Sequence, residues 1–320
     1  MSLLSLLIAL MADRVLSNRV WRFDHYYSAY LGFFNKKFTA VQGKIASSIF
    51  IILPVLVTLF LVNFIDNNVV QLILSTLILI VCLGCFDTRQ RYKDYLQSAY
   101  RGEETTTDMH RQQLLTDKNL PEMGFGQALI WLNYRYYIAI MLYFVVFGPA
   151  GAVFYRLLST VIEQQNNKVT GSALEHCADL NTEVDTEVNI KINTQVNDDA
   201  IFTGPDGIHN SEITPDIRSG CKSHHDVLFW LDWLPVRIAS FGYMFVGHFS
   251  QAMPTWLESI FDAGKPTYKV LIDVAQKSED ILVNNGDCIA EPCLLVRLAK
   301  RNLLLILAII SVLTLTGVIN

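Results

Sequence analysis

The residues best placed to do chemistry in this sequence are charges and aromatic hydroxyls set inside apolar stretches. LDWLPVR, Leu231 to Arg237, lies in an apolar run from Val227 to Phe249 and sets Asp232 and Arg237 either side of Pro235. FGPAGAVFYR, Phe147 to Arg156, has the same grammar: an apolar run, a Gly-Pro break, then Tyr155 and Arg156. Charge is expensive at bilayer depth and is kept there for pairing, for a pathway or for a ligand. Proline frees backbone groups, which is tolerated where the chain is buried in protein or lines a cavity. A guanidinium grips carboxylate or phosphate through two parallel hydrogen bonds, so two arginines facing one cavity would hold an anion. The expectation is that the two stretches meet, with Arg156 and Arg237 sharing one anion and Asp232 orienting Arg237. The competing reading makes both stretches ordinary helix ends whose arginines snorkel to headgroups. Asp13, His25, Asn133 and Tyr155 are the further candidates for a ligand site. A solvated helix end competes for Asp13, a structural role for His25 and a helix cap for Asn133.

Other chemistry is not signalled. There is no Walker motif, dinucleotide fingerprint, HExxH or nucleophile elbow. No cofactor is indicated and no catalytic nucleophile stands out. Cys82 and Cys85 form a CxxC within an uncharged apolar segment with no further ligand beside it, so no metal site is expected and all six cysteines read as free thiols.

Composition sets the surroundings of these groups. Of 320 residues, 52% are hydrophobic and 17% charged, against about a quarter charged in soluble domains. That deficit points to a membrane protein whose first partner is the lipid bilayer. A net charge of -5 offers no basic excess for nucleic acid. Residues 1–12 are apolar but lack a basic leader and a small-residue cleavage pattern, so no secretory signal is expected, and they are too short to span alone.

Elements that could position the site follow in chain order. Residues 15–44 interleave cations with Trp21, Phe23, Tyr26, Tyr27, Tyr30, Phe33 and Phe34, the composition of an interfacial helix on the cytoplasmic face. Residues 45–86 read as a charge-free hairpin turning at Asp66. Residues 87–135 form a polar cytoplasmic loop, mostly helical, with Tyr92, Tyr95, Leu96 and Ala99 on one face. The segment 136–155 is a third apolar run, and 303–319 a terminal span. Residues 1–162 thus form the first part of a membrane domain. Residues 223–320 form its second part, with a broken apolar segment at 227–249 and polar helices over 250–302. Between them, 163–222 hold eleven Asp/Glu against four Lys/Arg and are poor in bulky apolar residues, the composition of a disordered acidic insertion. The fold class expected is all-α: a multi-pass helical membrane protein with cytoplasmic amphipathic helices.

Orientation poses a parity problem. Both flanks of the 45–86 hairpin are basic and its loop is not, which puts the flanks in the cytoplasm. Arg297, Lys300 and Arg301 precede the last span and no charge follows it. Both statements hold only if 227–249 carries the chain back across, or if the third run never crosses completely because of the Gly148-Pro149 break.

A resemblance now becomes specific. The order of apolar helix then Asp13-Arg14, tyrosine-rich basic helix, charge-free hairpin, WLNYRYY, FGPAGAVFYR, LDWLPVR and Gly247-His248 resembles the AmpE family. It covers nearly the whole chain except the acidic insertion, which looks like extra material in this member. The resemblance implies a bacterial inner-membrane protein linked to regulation of β-lactamase induction, functionally tied to a muropeptide amidase, and it implies no mechanism. A more distant resemblance is to cobalamin-pathway membrane synthases of the CbiB/CobD type, which attach an aminopropanol arm to a corrinoid carboxylate. Their Tyr-Arg followed by Asn-Thr-Leu-Asp, and a later Asn-Tyr-Ile-Pro-Ala-Arg, are matched at Tyr155, Arg156, Thr160, Pro235 and Arg237, with Asn133 in the place of an upstream asparagine. Ser159 replaces the asparagine of that run, Val161 and Ile162 replace its Leu-Asp, and the upstream acid is missing. An acid is what a ligase uses to hold a metal ion on a phosphate. This second resemblance therefore implies a retained anion-holding scaffold without corrin chemistry.

Three functions compete: a regulatory protein that senses an anionic small molecule, a membrane enzyme forming amides on an unknown carboxylate, and a transport accessory. The charge pattern yields a first expected outcome. Reporter fusions should place 13–44 and 87–135 in the cytoplasm and Asn320 in the periplasm. A fusion at Asn320 that is active only in the cytoplasm would sink the parity argument.

Overall fold

A computed structural model of the protein describes residues 2–15, 21–37, 44–65, 67–83, 86–182, 216–262, 264–279 and 289–317. The expected disordered insertion, the loop residue Asp66 and the terminal Asn320 lie wholly or in the main outside the described residues and side chains. Among those described, the regular elements are helices: α1 (Ser2–Val15), α2 (Phe23–Lys37), α3 (Lys44–Phe64), α4 (Asn68–Leu83), α5 (Phe86–Tyr100), α6 (Glu104–Asp117), α7 (Phe125–Asn133), α8 (Ala139–Thr182), α9 (Asp216–Val246), α10 (Phe249–Phe261), α11 (Thr267–Ser278) and α12 (Ala290–Leu315). A single π-helical turn, Tyr134–Ile138, joins α7 to α8.

By length and composition, three stretches among the described residues are apolar enough to cross a membrane: Asn68–Tyr100, Phe125–Gln164 and Ala290–Leu315. Leu3–Asp13 and Ser48–Phe64 are shorter apolar helices. The 227–249 stretch is not among them, and α9 carries Asp232 and Arg237 on buried positions. The outward faces of α3, α4 and α12 are apolar, with Phe60, Phe64, Val69, Leu304 and Leu315 exposed. Apolar surface of that extent belongs against lipid rather than water.

The second of these stretches is not one rod. Gly148 has φ 68 and ψ -160, a region open essentially to glycine alone. Pro149 follows it at the position where a proline starts a helix without losing a needed hydrogen bond. The chain turns back there. Tyr136 and Glu163, about 40 Å apart along an unbroken helix, are joined by a 2.9 Å hydrogen bond. Tyr143 stacks on Tyr155 with ring centroids 5.0 Å apart. Residues 134–147 and 149–163 are thus the two arms of a hairpin, and Val146 and Phe147 are exposed at its tip. The Gly-Pro break expected from sequence is this turn.

Pro235, by contrast, does not interrupt α9, which stays helical through it. The missing N–H leaves the carbonyl of Leu231 without its helical donor. The hydroxyl of Tyr143 donates to that carbonyl at 2.9 Å. The same device recurs in α3, where Pro54 frees the carbonyl of Phe50 and Tyr30 donates to it at 3.0 Å. Two prolines at membrane depth are each made tolerable by a tyrosine from another helix.

Packing around the hairpin is close. α3 and α4 lie on α8, α4 also on α1, and α9 on α8, α11 and α12. Gly242 of α9 lets α12 approach, since a Cβ there would meet Oδ1 of Asn302 at 2.1 Å. Asn302 uses the approach to donate to the carbonyl of Ala239 at 3.0 Å. The helices predicted over 87–135 are α5, α6 and α7, but α7 is no part of a polar loop: it is apolar and opens the spanning stretch Phe125–Gln164. Tyr95 stacks on Phe125, and Tyr92 and Leu96 support that small core, as the spacing on α5 predicts. Cys82 and Cys293 are free thiols, and the other four cysteines fall outside the described side chains.

The proline device is testable by a double-mutant cycle. Tyr143→Phe should lower stability by about 1–3 kcal/mol because it orphans a buried carbonyl. Pro235→Ala restores the backbone donor, so the double variant should regain most of the loss. Thermal unfolding in detergent reads the coupling, and additive losses would refute the assignment.

Candidate functional site

The site is built on the π-helical turn. A turn with an extra residue fans consecutive side chains over a wider arc, and such turns are frequent at functional sites. Here four successive residues reach three separate helices. Tyr134 donates to Oδ1 of Asp232 on α9 at 2.7 Å. Arg135 lies over the ring of Trp131 at 5.5 Å and is close enough to act electrostatically on Asp232, Tyr155 and Glu163. Tyr136 donates to Oε2 of Glu163 on the second arm of α8 at 2.9 Å. Tyr137 donates to Oδ2 of Asp13 on α1 at 2.8 Å.

Asp232 is the centre. It is 2% exposed and accepts on the same oxygen from Tyr134 and from Tyr155, the latter at 2.8 Å. Those tyrosines sit on opposite arms of the hairpin, so one carboxylate closes both arms onto α9. A carboxylate buried this deeply is viable only when hydrogen-bonded and near compensating charge, and Arg135 supplies the charge.

Glu163 anchors the second part. It pairs with Nζ of Lys118 at 2.9 Å as well as with Tyr136. Burial works against the charge of Lys118, yet Tyr136 and Glu163 together hold its pKa above the ordinary lysine range. Arg156, 4% exposed, lies 4.4 Å over the ring of Tyr136 and 5.1 Å over that of Phe23. The carbonyl of Arg156 accepts from Ser159 and Thr160. Lys118, Arg135 and Arg156 thus gather around the carboxylates of Glu163 and Asp232, leaving an excess of positive charge. Among the described residues, Nε of Arg135 and Oδ1 of Asn133 are buried without a hydrogen-bond partner.

The other expected residues are distributed as follows. Tyr155, Arg156 and Asp232 come together with the π turn, and Asn133 borders it without acting as a cap. Asp13 is buried and pairs with Arg89 at 3.2 Å while accepting from Tyr137, so it belongs to the next shell of the same turn and is no solvated helix end. His25 is exposed beside Tyr26 and takes no part in the cluster. Arg237 is held elsewhere: it donates to the carbonyls of Trp233, Ser259 and Asp262 and lies 4.0 Å over the Trp233 ring. Five residues turn a helix by about 140°, so Asp232 faces the hairpin while Arg237 faces α10. The expected orientation of Arg237 by Asp232 does not occur. Sequence reasoning counted Arg135 and Lys118 as cytoplasmic flank charges and assigned Glu163 to the insertion. The WLNYRYY motif was the one signal that contained most of the missing residues.

Apolar helices of spanning length with a charged, tyrosine-walled cluster buried among them define a helical membrane protein. The chain belongs to the AmpE family: the model of the regulatory signalling modulator protein AmpE matches residues 1–169 and 210–320. Protein AmpE of Shigella flexneri is similar to it, 25% identical over 329 residues that take in 99% of each chain. The family match leaves out residues 170–209, which fits the acidic stretch as an insertion. No solved structure matches.

Removing the central carboxylate tests its role. Asp232→Ala should cost about 3–5 kcal/mol by stranding two tyrosine hydroxyls and the charge of Arg135. Asp232→Asn, which keeps an acceptor, should cost less. Unfolding of both variants near the wild-type temperature would show that Asp232 does not hold the hairpin.

Proposed function

We propose that this protein is a regulatory protein of the bacterial inner membrane that acts in β-lactamase induction and cell-wall-recycling signalling by binding an anionic small molecule at the π turn. The observation that carries this reading is the buried Nε of Arg135, without a partner among the described residues, in a cluster with excess positive charge. A guanidinium with an open edge takes a carboxylate or phosphate oxygen there. Arg135 and Arg156 replace the pair Arg156 and Arg237 as the anion-holding groups, with Tyr134, Tyr155 and Asp232 as the wall that fixes them. Membership of the AmpE family supports the regulatory role, and what the family is linked to supplies the process. The exposed apolar tip at Val146 and Phe147 supports a hairpin that enters the bilayer and returns with its site at the cytoplasmic end, a reading in which the charge parity needs no crossing by α9.

One observation favours a second reading, a membrane enzyme of the amide-forming class. Glu163 stands one residue beyond the position of the aspartate in the cobalamin-pathway synthases and is held by Lys118 and Tyr136. An acid near an anion-holding arginine is what phosphate activation requires. Turnover of ATP by purified protein would favour the enzyme, and binding without turnover the regulator.

The regulatory reading is checked by β-lactamase induction in cells carrying Arg135→Lys or Arg156→Lys proteins at matched membrane levels. Loss of a bidentate contact should move the inducer response by about tenfold. Wild-type induction by both variants would refute the anion site.

A further inference from the structure

The α9–α10 junction holds a second set of unmet groups, independent of the π-turn cluster. Among the described residues, Nε of Arg237 and Nε1 of Trp233 are buried with no acceptor. They lie one turn apart on α9, with the guanidinium stacked on the indole. Arg237 is 5% exposed. Its Nη1 donates to the carbonyl of Trp233 and its Nη2 to the carbonyls of Ser259 and Asp262 at the end of α10, and its own carbonyl accepts from Trp256 at 3.2 Å. Two buried donors without an acceptor would cost about 1–3 kcal/mol each, a cost that an oxygen from outside the chain removes.

The surroundings say where that oxygen comes from. Immediately beside these donors, α9 exposes an apolar stripe of Leu234, Ile238, Phe241 and Phe245. The stripe continues onto α10 as Phe249, Met253 and Leu257, exposed at four-residue spacing. Phe241 packs on Trp256 across the junction, centroids 5.2 Å apart, so the two stripes share one surface. An amphipathic helix with an apolar face, next to tryptophans with polar edges, is the pattern of the bilayer interface. At that depth the acceptor-only groups available are the phosphate and ester oxygens of a glycerophospholipid. A phosphate also matches the charge of Arg237, whose direct partners are neutral carbonyls.

We propose that the α9–α10 junction is a phospholipid site, with a headgroup phosphate accepting from Arg237 and Trp233 and the acyl chains lying on the Leu234–Phe245 and Phe249–Leu257 stripe. Purified full-length protein in dodecyl maltoside micelles is titrated with dioleoylphosphatidylglycerol, with inorganic phosphate, and with diolein, which has the chains without the phosphate. The unfolding temperature should rise with the phospholipid and with neither other probe. Trp233→Phe keeps the ring and removes one donor, so at least half of that shift should vanish. Leu234→Asn, at an exposed position, should reduce it as well. Without lipid, Trp233→Phe should unfold at or above the wild-type temperature, because an unmet donor has been removed. An equal lipid shift in wild type and Trp233→Phe overturns the proposal. So does a full shift from inorganic phosphate or from diolein alone, or a lipid-free Trp233→Phe protein that unfolds earlier than wild type.

Discussion

A single buried carboxylate organises this protein. Asp232 accepts from Tyr134 on one arm of the α8 hairpin and from Tyr155 on the other, so α9 fastens both arms of a hairpin whose arms also meet directly through Tyr136–Glu163 and Tyr143–Tyr155. The arrangement answers the cost of a charge in an apolar interior: two hydroxyls and a neighbouring guanidinium stand in for water. It also couples chain segments far apart in sequence. The register of the hairpin, the position of α9 and the direction of Arg135 are set together.

The same economy governs the backbone. Gly148 and Pro149 turn the hairpin, and Pro235 and Pro54 each release a carbonyl within a helix. Tyr143 and Tyr30 answer those carbonyls from neighbouring helices. Tyrosine serves here because its ring packs in the apolar layer while its hydroxyl reaches one polar atom. The tyrosines of WLNYRYY do the same for carboxylates, one each for Asp232, Glu163 and Asp13. Stability and site are thus made of the same contacts, and a ligand engaging Arg135 would act directly on the clasp that holds α8 to α9.

Much of this architecture is legible in the sequence. Charge-free runs, basic flanks and the Gly-Pro break locate the apolar helices and the hairpin turn, because hydropathy and backbone freedom are local properties. The face of α5 carrying Tyr92, Tyr95 and Leu96 was likewise readable from helical spacing. That Asp232, Tyr155 and Arg156 would come together was legible because polar groups inside apolar sequence need partners.

What the sequence by itself determined is where charge, proline and glycine would be costly, hence which stretches matter. What only the tertiary structure decided is which of those groups meet. Asp232 and Arg237 are neighbours in sequence, yet helical rotation turns them to different partners. Arg135 and Glu163 lie 28 positions apart and come to one cluster because the chain folds back at Gly148. Pairing across a hairpin depends on the turn and the packing behind it, and no local pattern of residues encodes the distance between two arms.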